Sequence, residues 1–164
     1  MGKKDMHEER IVELADSYDR EALLLEKVVR HMKHEIGLLQ AGDYASLCDS
    51  LAGRGEHIDG IAQLEARRRE LEAELSDQES AAAGRIGALH EALADPRVVE
   101  ARRRAAAMHR QALELDAELR EMARARRVEM ETGLAELAHG RAASHAYSGH
   151  GRAKPAPRFL DKER

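Results

Sequence analysis

The stretch Leu39-Gln40-Ala41-Gly42-Asp43 decides the fold, because it places a helix stop and a helix start between two long amphipathic segments. Gly42 can adopt the left-handed conformation that ends a helix, and Asp43 can accept hydrogen bonds from the first free amides of the next helix. A connection this short makes the two neighbouring helices run antiparallel. The sequence therefore predicts a helical hairpin that turns at Gly42.

Apolar residues recur every seven positions through the first segment, which is typical of one continuous helix that pairs with another. A helix from about His7 to Gln40 is about 50 Å long, which is longer than a compact domain requires. The second segment carries a stripe from Tyr44 to Leu75 that glycines interrupt, and at these glycines we expect local fraying or a bend. The first stripe comprises Ile11, Tyr18, Leu25, Met32 and Leu39, and the glycines are Gly53, Gly55 and Gly60.

Asp95-Pro96 starts a third long helix, because Asp is a favoured N-cap and Pro is favoured at the first helical position. This helix is expected to run to about His139, whereas the end of the second helix between Ser76 and Asp95 has no clear signal. The predicted fold class is all-α: three long helices in an antiparallel, coiled-coil-like bundle. Residues 1–139 form the helical domain, and residues 140–164 form a flexible tail because they hold Gly and Pro and lack periodicity.

Composition favours a narrow helical core. The chain is 43% hydrophobic and 35% charged but only 2% aromatic, and Leu and Ala suit the seam between paired helices. The tail has six Lys or Arg against Asp161 and Glu163, whereas the whole chain has a net charge of −4. The tail is therefore a separate basic unit.

The chain shows no features of an exported or membrane protein. Its single cysteine, Cys48, excludes an internal disulfide and is typical of a reducing compartment. No stretch reaches the length of a membrane-spanning helix, and the first residues lead into charge instead of an apolar signal core. We therefore expect a cytoplasmic protein without membrane insertion.

The residue patterns favour neither an enzyme nor a metal site. His31 and His34 lie on one helix face beside Glu35, but no further ligand set has matching spacing, so solvated histidines are the better interpretation. Glu136 and His139 supply one Glu-x-x-His pair, whereas a di-iron bundle needs two. Because nucleophile, phosphate-loop and dinucleotide motifs are also absent from the sequence, we expect no catalytic residues, no metal and no cofactor.

Three arginine runs raise the possibility of nucleic-acid binding. Each run lies among glutamates at spacings that form pairs within a helix, whereas phosphate binding requires an unneutralised basic surface. We therefore expect solvated, ion-paired faces and no nucleic-acid partner; salt-dependent binding through the basic tail is the weaker alternative. The runs are Arg67 to Arg69, Arg102 to Arg104, and Arg124 with Arg126 and Arg127.

Leu and Met residues of the third helix form the candidate binding surface. Methionine suits irregular cores and also surfaces that repack around different partners. Core packing is the default interpretation, but long helices with irregular stripes can leave an apolar groove for a partner's helix. The candidate residues are Leu115, Leu119, Met122, Met130, Leu134 and Leu137.

The hairpin and the tail together resemble FlgN-type flagellar export chaperones. The hairpin, followed by Leu64-Glu65 and Arg68, is similar to the family's Leu-rich helix, Gly-Asp turn and Leu-Glu-x-x-Arg segment. The stretch from Ala146 to Arg152, with Leu160-Asp161-Lys162, is similar to its Tyr-x-x-x-Gly segment and terminal Asp-Lys. The third helix departs from the pattern, since the family often has Asn residues before a Leu-Leu pair and Arg126 to Leu134 has neither.

The resemblance implies a cytoplasmic chaperone of the flagellar type III export system. Such proteins bind helical terminal regions of hook-filament junction proteins and deliver them to the export gate. It further implies that Tyr147, with Gly151 nearby in the same segment, docks at that gate. A structural or adaptor coiled-coil protein without a client groove is the alternative, because it would share the same periodicity.

Overall fold

The computed structural model describes residues 3–80 and 87–149, with side chains at positions 6–76 and 87–145. Within these ranges every regular element is an α-helix, which confirms the all-α fold class. The described helices number four instead of three, because a short helix precedes the last long one. They are α1 (Lys3–Ala41), α2 (Tyr44–Ser80), α3 (Ala88–Ala94) and α4 (Pro96–Gly149).

The turn between α1 and α2 has the predicted chemistry. Gly42 has a φ of 73°, and the Asp43 amide donates to the Leu38 carbonyl at 3.0 Å. The Ser46 amide donates to Asp43 Oδ1 at 3.1 Å, and the Ser46 hydroxyl donates to Asp43 Oδ2 at 2.7 Å. These two donors, the hydroxyl first, hold the pKa of Asp43 below its ordinary value. Asp43 therefore caps α2.

Cross-helix contacts show that α1 and α2 run antiparallel. Near the start of α1, Glu13 Oε1 lies 2.8 Å from Arg67 Nη2 in the second half of α2. Near the end of α1, Glu35 Oε2 lies 3.0 Å from Arg54 Nη1 in the first half of α2. The partner in α2 thus moves backward along the chain as α1 advances.

The first part of α4 runs parallel to α1. Glu8 Oε1 lies 2.7 Å from Arg97 Nη1, and Asp19 Oδ1 lies 2.7 Å from Arg104 Nη2. Two clusters of buried apolar side chains join the helices. One contains Leu25, Val28, Val29, Met32, Leu39, Ile61, Ala112 and Leu119, and the other contains Ile11, Leu14, Ala15, Leu75, Ala92 and Val98.

The chain divides into two compact units, Met1–Ala123 and Arg124–Arg164. Every buried side chain among the described residues belongs to the first unit, since the last of them is Leu119. The first unit therefore contains the hydrophobic core, and the predicted division at residues 139 and 140 lies inside the second unit.

Helix α4 begins at the predicted residue but ends later than predicted. Pro96 is the first residue of the helix, and Asp95 Oδ1 accepts from the Arg97 amide at 2.9 Å, as the N-cap prediction requires. The helix continues through Gly149 instead of ending near His139. Alanines follow Gly140, and their high helix propensity offsets the cost of one glycine, about 1 kcal/mol. Residues 150–164 of the predicted tail lie outside the described residues.

The glycines of α2 do not interrupt the helix, so the fraying expected there is not found. A Cβ at Gly53 would lie 3.1 Å from the His31 ring, and a Cβ at Gly60 would lie 3.1 Å from the Leu24 side chain. These two glycines therefore let α2 approach α1 closely. A Cβ at Gly55 would meet nothing within 4 Å.

Candidate functional site

Three of the six candidate residues on α4 belong to the core of the first unit. Leu119 is buried and is part of the larger apolar cluster, and Leu115 and Met122 are partly buried against the same cluster. Their environment is that of core side chains, which is the interpretation that the sequence left as the default. A client could reach Leu119 only by displacing its neighbours.

The other three candidates lie in the second unit and are exposed. The exposed fractions are 49% for Met130, 66% for Leu134 and 64% for Leu137. Their spacing of four and three residues puts them on one face of α4. Large apolar side chains exposed at this spacing are the anchors by which one helix docks in a groove or on another helix.

Charged residues beside this face are paired within α4. Arg126 Nη1 lies 2.8 Å from Glu129 Oε2, and Arg127 Nε donates to Glu131 Oε1 at 2.8 Å. Such exposed pairs contribute little to stability. Their effect is to leave the flank of the face without a block of unneutralised positive charge, as the sequence predicted for this arginine run.

Val128 is an exposed apolar residue on the other side of α4, with which the exposed face can be compared. It is 60% exposed, slightly less than Leu134 and Leu137. At 100° per residue it projects about 160° away from Met130 and therefore from the opposite side of α4. The two sides of α4 thus expose similar apolar groups, but only one carries three of them in register.

The structure describes little of the predicted gate-docking segment. Tyr147 lies within α4, but its side chain is outside the described residues, and Gly151 is outside them altogether. The docking role of both residues remains a prediction from the resemblance.

Arg68, from the Leu-Glu-x-x-Arg segment, joins α2 to α1. Its guanidinium forms an ion pair with Glu21, and its Nε donates to the Ser17 hydroxyl at 3.4 Å. The same guanidinium lies 3.8 Å from the centre of the Tyr18 ring, and Arg102 of α4 lies 5.8 Å from it. Because Arg68 is largely buried by these contacts, it stabilises the hairpin and is not available to a partner.

A buried polar network near the hairpin turn was missed by the sequence analysis. Glu35 is fully buried; Arg54 Nη1 lies 3.0 Å from one of its oxygens, although not aligned for a hydrogen bond, and the Ser50 hydroxyl donates to the other at 3.3 Å. His31 Nδ1 lies 3.1 Å from the same hydroxyl, and the His31 and His57 rings are 5.5 Å apart. The network joins α1 to α2.

The histidines of this region do not form a metal site. Within residues 6–76 and 87–145, no three His, Cys, Asp or Glu side chains are arranged to hold a metal ion. His34 is exposed, as expected for a solvated histidine, but His31 is half-buried and contacts Ser50. The signal for the network was the position of Glu35 between Met32 and Leu39, where a seam residue belongs.

A shallow groove between α1 and α4 is a second apolar surface. It has a volume of about 480 Å³ and lies entirely within the first unit. Leu23, Ala107 and Met108 contribute apolar atoms to it, and the ion pair between Asp19 and Arg104 lies at its edge. The groove is wide enough for an apolar side chain, and the charged groups that line it are Asp19, Glu26 and Arg104.

None of the helices in the described ranges is long and apolar enough to cross a membrane. Comparisons with family models, curated proteins and solved structures find no match to this chain. The family resemblance therefore rests on the sequence motifs alone.

Proposed function

We propose that this protein is a flagellar export chaperone that binds the helical terminal region of a hook-filament junction protein and delivers it to the type III export gate in the cytoplasm. The observation that carries the proposal is the exposed face formed by Met130, Leu134 and Leu137. The motifs of the hairpin and the tail supply the family and the client.

An amphipathic client helix gains by covering this face, because each of the two partners otherwise exposes its apolar side chains to water. Burying a large aliphatic side chain contributes roughly 1.5–3 kcal/mol. Three anchors on each side must also offset the loss of translational and rotational freedom. A complex of about micromolar dissociation constant is the expected result.

The rest of the molecule has supporting roles in this proposal. The three long helices form an antiparallel, coiled-coil-like bundle that holds the hydrophobic core, and the second part of α4 carries the face that binds the client. The segment that contains Tyr147 and Gly151 then docks at the export gate. No cofactor, catalytic residue or nucleic acid takes part.

Client binding can be tested with variants on opposite sides of α4. We expect Leu134→Glu combined with Leu137→Glu to weaken binding of a synthetic junction-protein helix at least about tenfold, because the anchors become charged. Val128→Glu, on the opposite side, is the matched control and should bind like the wild type. Titration calorimetry measures the affinity, and circular dichroism of the same samples checks that helicity is unchanged.

Equal weakening by both sets of variants would contradict the assignment of the client to this face. Unchanged binding by the double variant would remove the face from the proposal and leave the groove between α1 and α4 to be tested. Leu119→Glu is unsuitable here, because Leu119 is part of the core and its substitution would destabilise the first unit.

A structural or adaptor coiled-coil protein is the second candidate. The length of α4, 54 residues, and its ion-paired surface favour it. Such a protein would bind no junction-protein helix, so wild-type protein that gives no heat of binding at any accessible concentration would support this alternative.

A further inference from the structure

Helix α2 carries an apolar face that is partly exposed to solvent. Tyr44, Leu51 and Ile58 are exposed, with 41%, 41% and 48% of their surface accessible. They recur every seven residues, and four residues after each of them stands a small residue. The small residues are Cys48, Gly55 and Ala62.

The combined spacing of this face is four, three, four, three and four residues. This is the repeat by which two helices pack along a common seam. The side of α2 that packs on α1 is centred elsewhere on the helix, at residues such as Ser50 and Ile61, and Leu47 lies between the two sides. From Tyr44 to Ala62 no charged residue stands at a seam position, so α2 has a second, unpaired seam.

Residue size along the second seam alternates in a way that fits a second copy of the same seam. In an antiparallel pair centred near Gly53, Tyr44 faces Ala62 of the other copy, Cys48 faces Ile58, and Leu51 faces Gly55. Every large side chain then meets a small one. A parallel pair would instead put small residues against small ones, Cys48 against Cys48 and Gly55 against Gly55, which leaves voids in those layers.

We propose that the protein self-associates as an antiparallel, two-fold symmetric dimer through residues 44–62 of α2. The seam is about 27 Å long. Pairing two copies buries on the order of 1,000 Å² in total, the lower limit for a specific interface. The pair is therefore weak and dependent on concentration. The proposal is independent of client binding, since it uses α2 and not the exposed face of α4.

Cross-linking tests the register directly. In the antiparallel pair, Ile58→Cys brings the new thiol opposite Cys48 of the other copy, so mild oxidation should give a disulfide-linked dimer. Within one chain the two positions are about 15 Å apart along the helix and cannot be bridged. The matched control, Ile58→Cys with Cys48→Ser, has no opposing thiol and should remain a monomer on a non-reducing gel.

Three outcomes would overturn the register. These are equal cross-linking of the variant and its control, cross-linking of the wild type through Cys48, which indicates a parallel pair, and no cross-linking of the Ile58→Cys chain.

Sedimentation of the unmodified full chain tests the association itself. Wild-type protein should shift from monomer to dimer between about 1 µM and about 1 mM. Gly55→Leu fills the space that receives Leu51, so it should remain monomeric over the same range. Because nothing lies within 4 Å of a Cβ at Gly55 and leucine is the better helix former, this variant should also melt at a higher temperature.

The rise in melting temperature shows that the variant is folded, so its monomeric state cannot be ascribed to unfolding. Leu113→Glu, at another exposed leucine, is the control and should dimerise like the wild type. A wild type that stays monomeric at all concentrations, or a Gly55→Leu protein that dimerises equally well, would overturn the proposal. The Gly55→Leu variant should still bind the client helix, so failure of one proposal leaves the other unaffected.

Discussion

Glu35 shows how much a single position can depend on contacts that lie far away in the sequence. Its place in the apolar repeat of α1 indicates that it faces the seam. The groups that interact with the buried carboxylate, Ser50 and Arg54, both belong to α2. A buried carboxylate loses its hydration, and the attraction to its charged partner offsets only part of that desolvation free energy. Glu35 and Arg54 therefore stabilise the hairpin only while both are present.

A double substitution separates the net contribution of the Glu35–Arg54 pair to stability from the destabilisation that follows when one charge is left unpaired. We expect Glu35→Ala to lower the free energy of unfolding by about 3–5 kcal/mol, because Arg54 is left without its partner in a largely buried position. Glu35→Leu combined with Arg54→Met replaces both charges by apolar groups and should stay close to the wild type or exceed it. Chemical denaturation measures all three proteins, and an equal loss in the single and double variants would contradict the argument.

At the scale of elements, the helix starts could be predicted from the sequence because capping is local. Asp43 and Asp95 each accept a hydrogen bond from an amide within three residues. The far end of α4 and the short helix α3 were missed. Gly140 suggested a helix end, but α4 continues through it. Helix α3 has only seven residues, which is too short for a clear periodic pattern. The close approach at Gly53 and Gly60 was also missed, since it depends on side chains of α1.

The cap of α2 predicts a dependence of stability on pH. Because the hydrogen bonds from Ser46 lower the pKa of Asp43, its carboxylate stabilises the fold above its ordinary pKa, about 3.9 in unfolded chains. That contribution is lost as the pH falls through the lowered pKa of the folded state. We expect Asp43→Ala to lower the melting temperature at pH 7 and to differ less from the wild type below about pH 4.

Asp43→Asn is the control for this experiment, because Asn can cap a helix without titrating. The difference in melting temperature between the Asn and Ala variants should not change with pH. A gap between wild type and Asp43→Ala that stays constant down to pH 2 would show that the carboxylate charge does not contribute to the cap.

At the scale of the whole molecule, periodicity identified the apolar stripe of α4 but did not show which of its residues are buried. Leu119 and Leu134 belong to one stripe in the sequence, yet the first is in the core and the second is exposed. Burial depends on whether other helices lie opposite, and a pattern within one helix holds no information about that. The candidate client residues therefore divided at Ala123, a boundary that has no mark in the sequence.

This division predicts that stability and client binding can be separated by truncation. A chain of residues 1–123 keeps every buried side chain of the described part, so we expect it to melt cooperatively within a few degrees of the full chain. It lacks Met130, Leu134 and Leu137 and should give no heat with the junction-protein helix. Calorimetric melting and titration of the same preparation measure both properties. A large loss of melting temperature would show that residues after Ala123 contribute to the core. Client binding that survives truncation would place the client site within the first unit, where the groove between α1 and α4 and the exposed face of α2 are apolar surfaces.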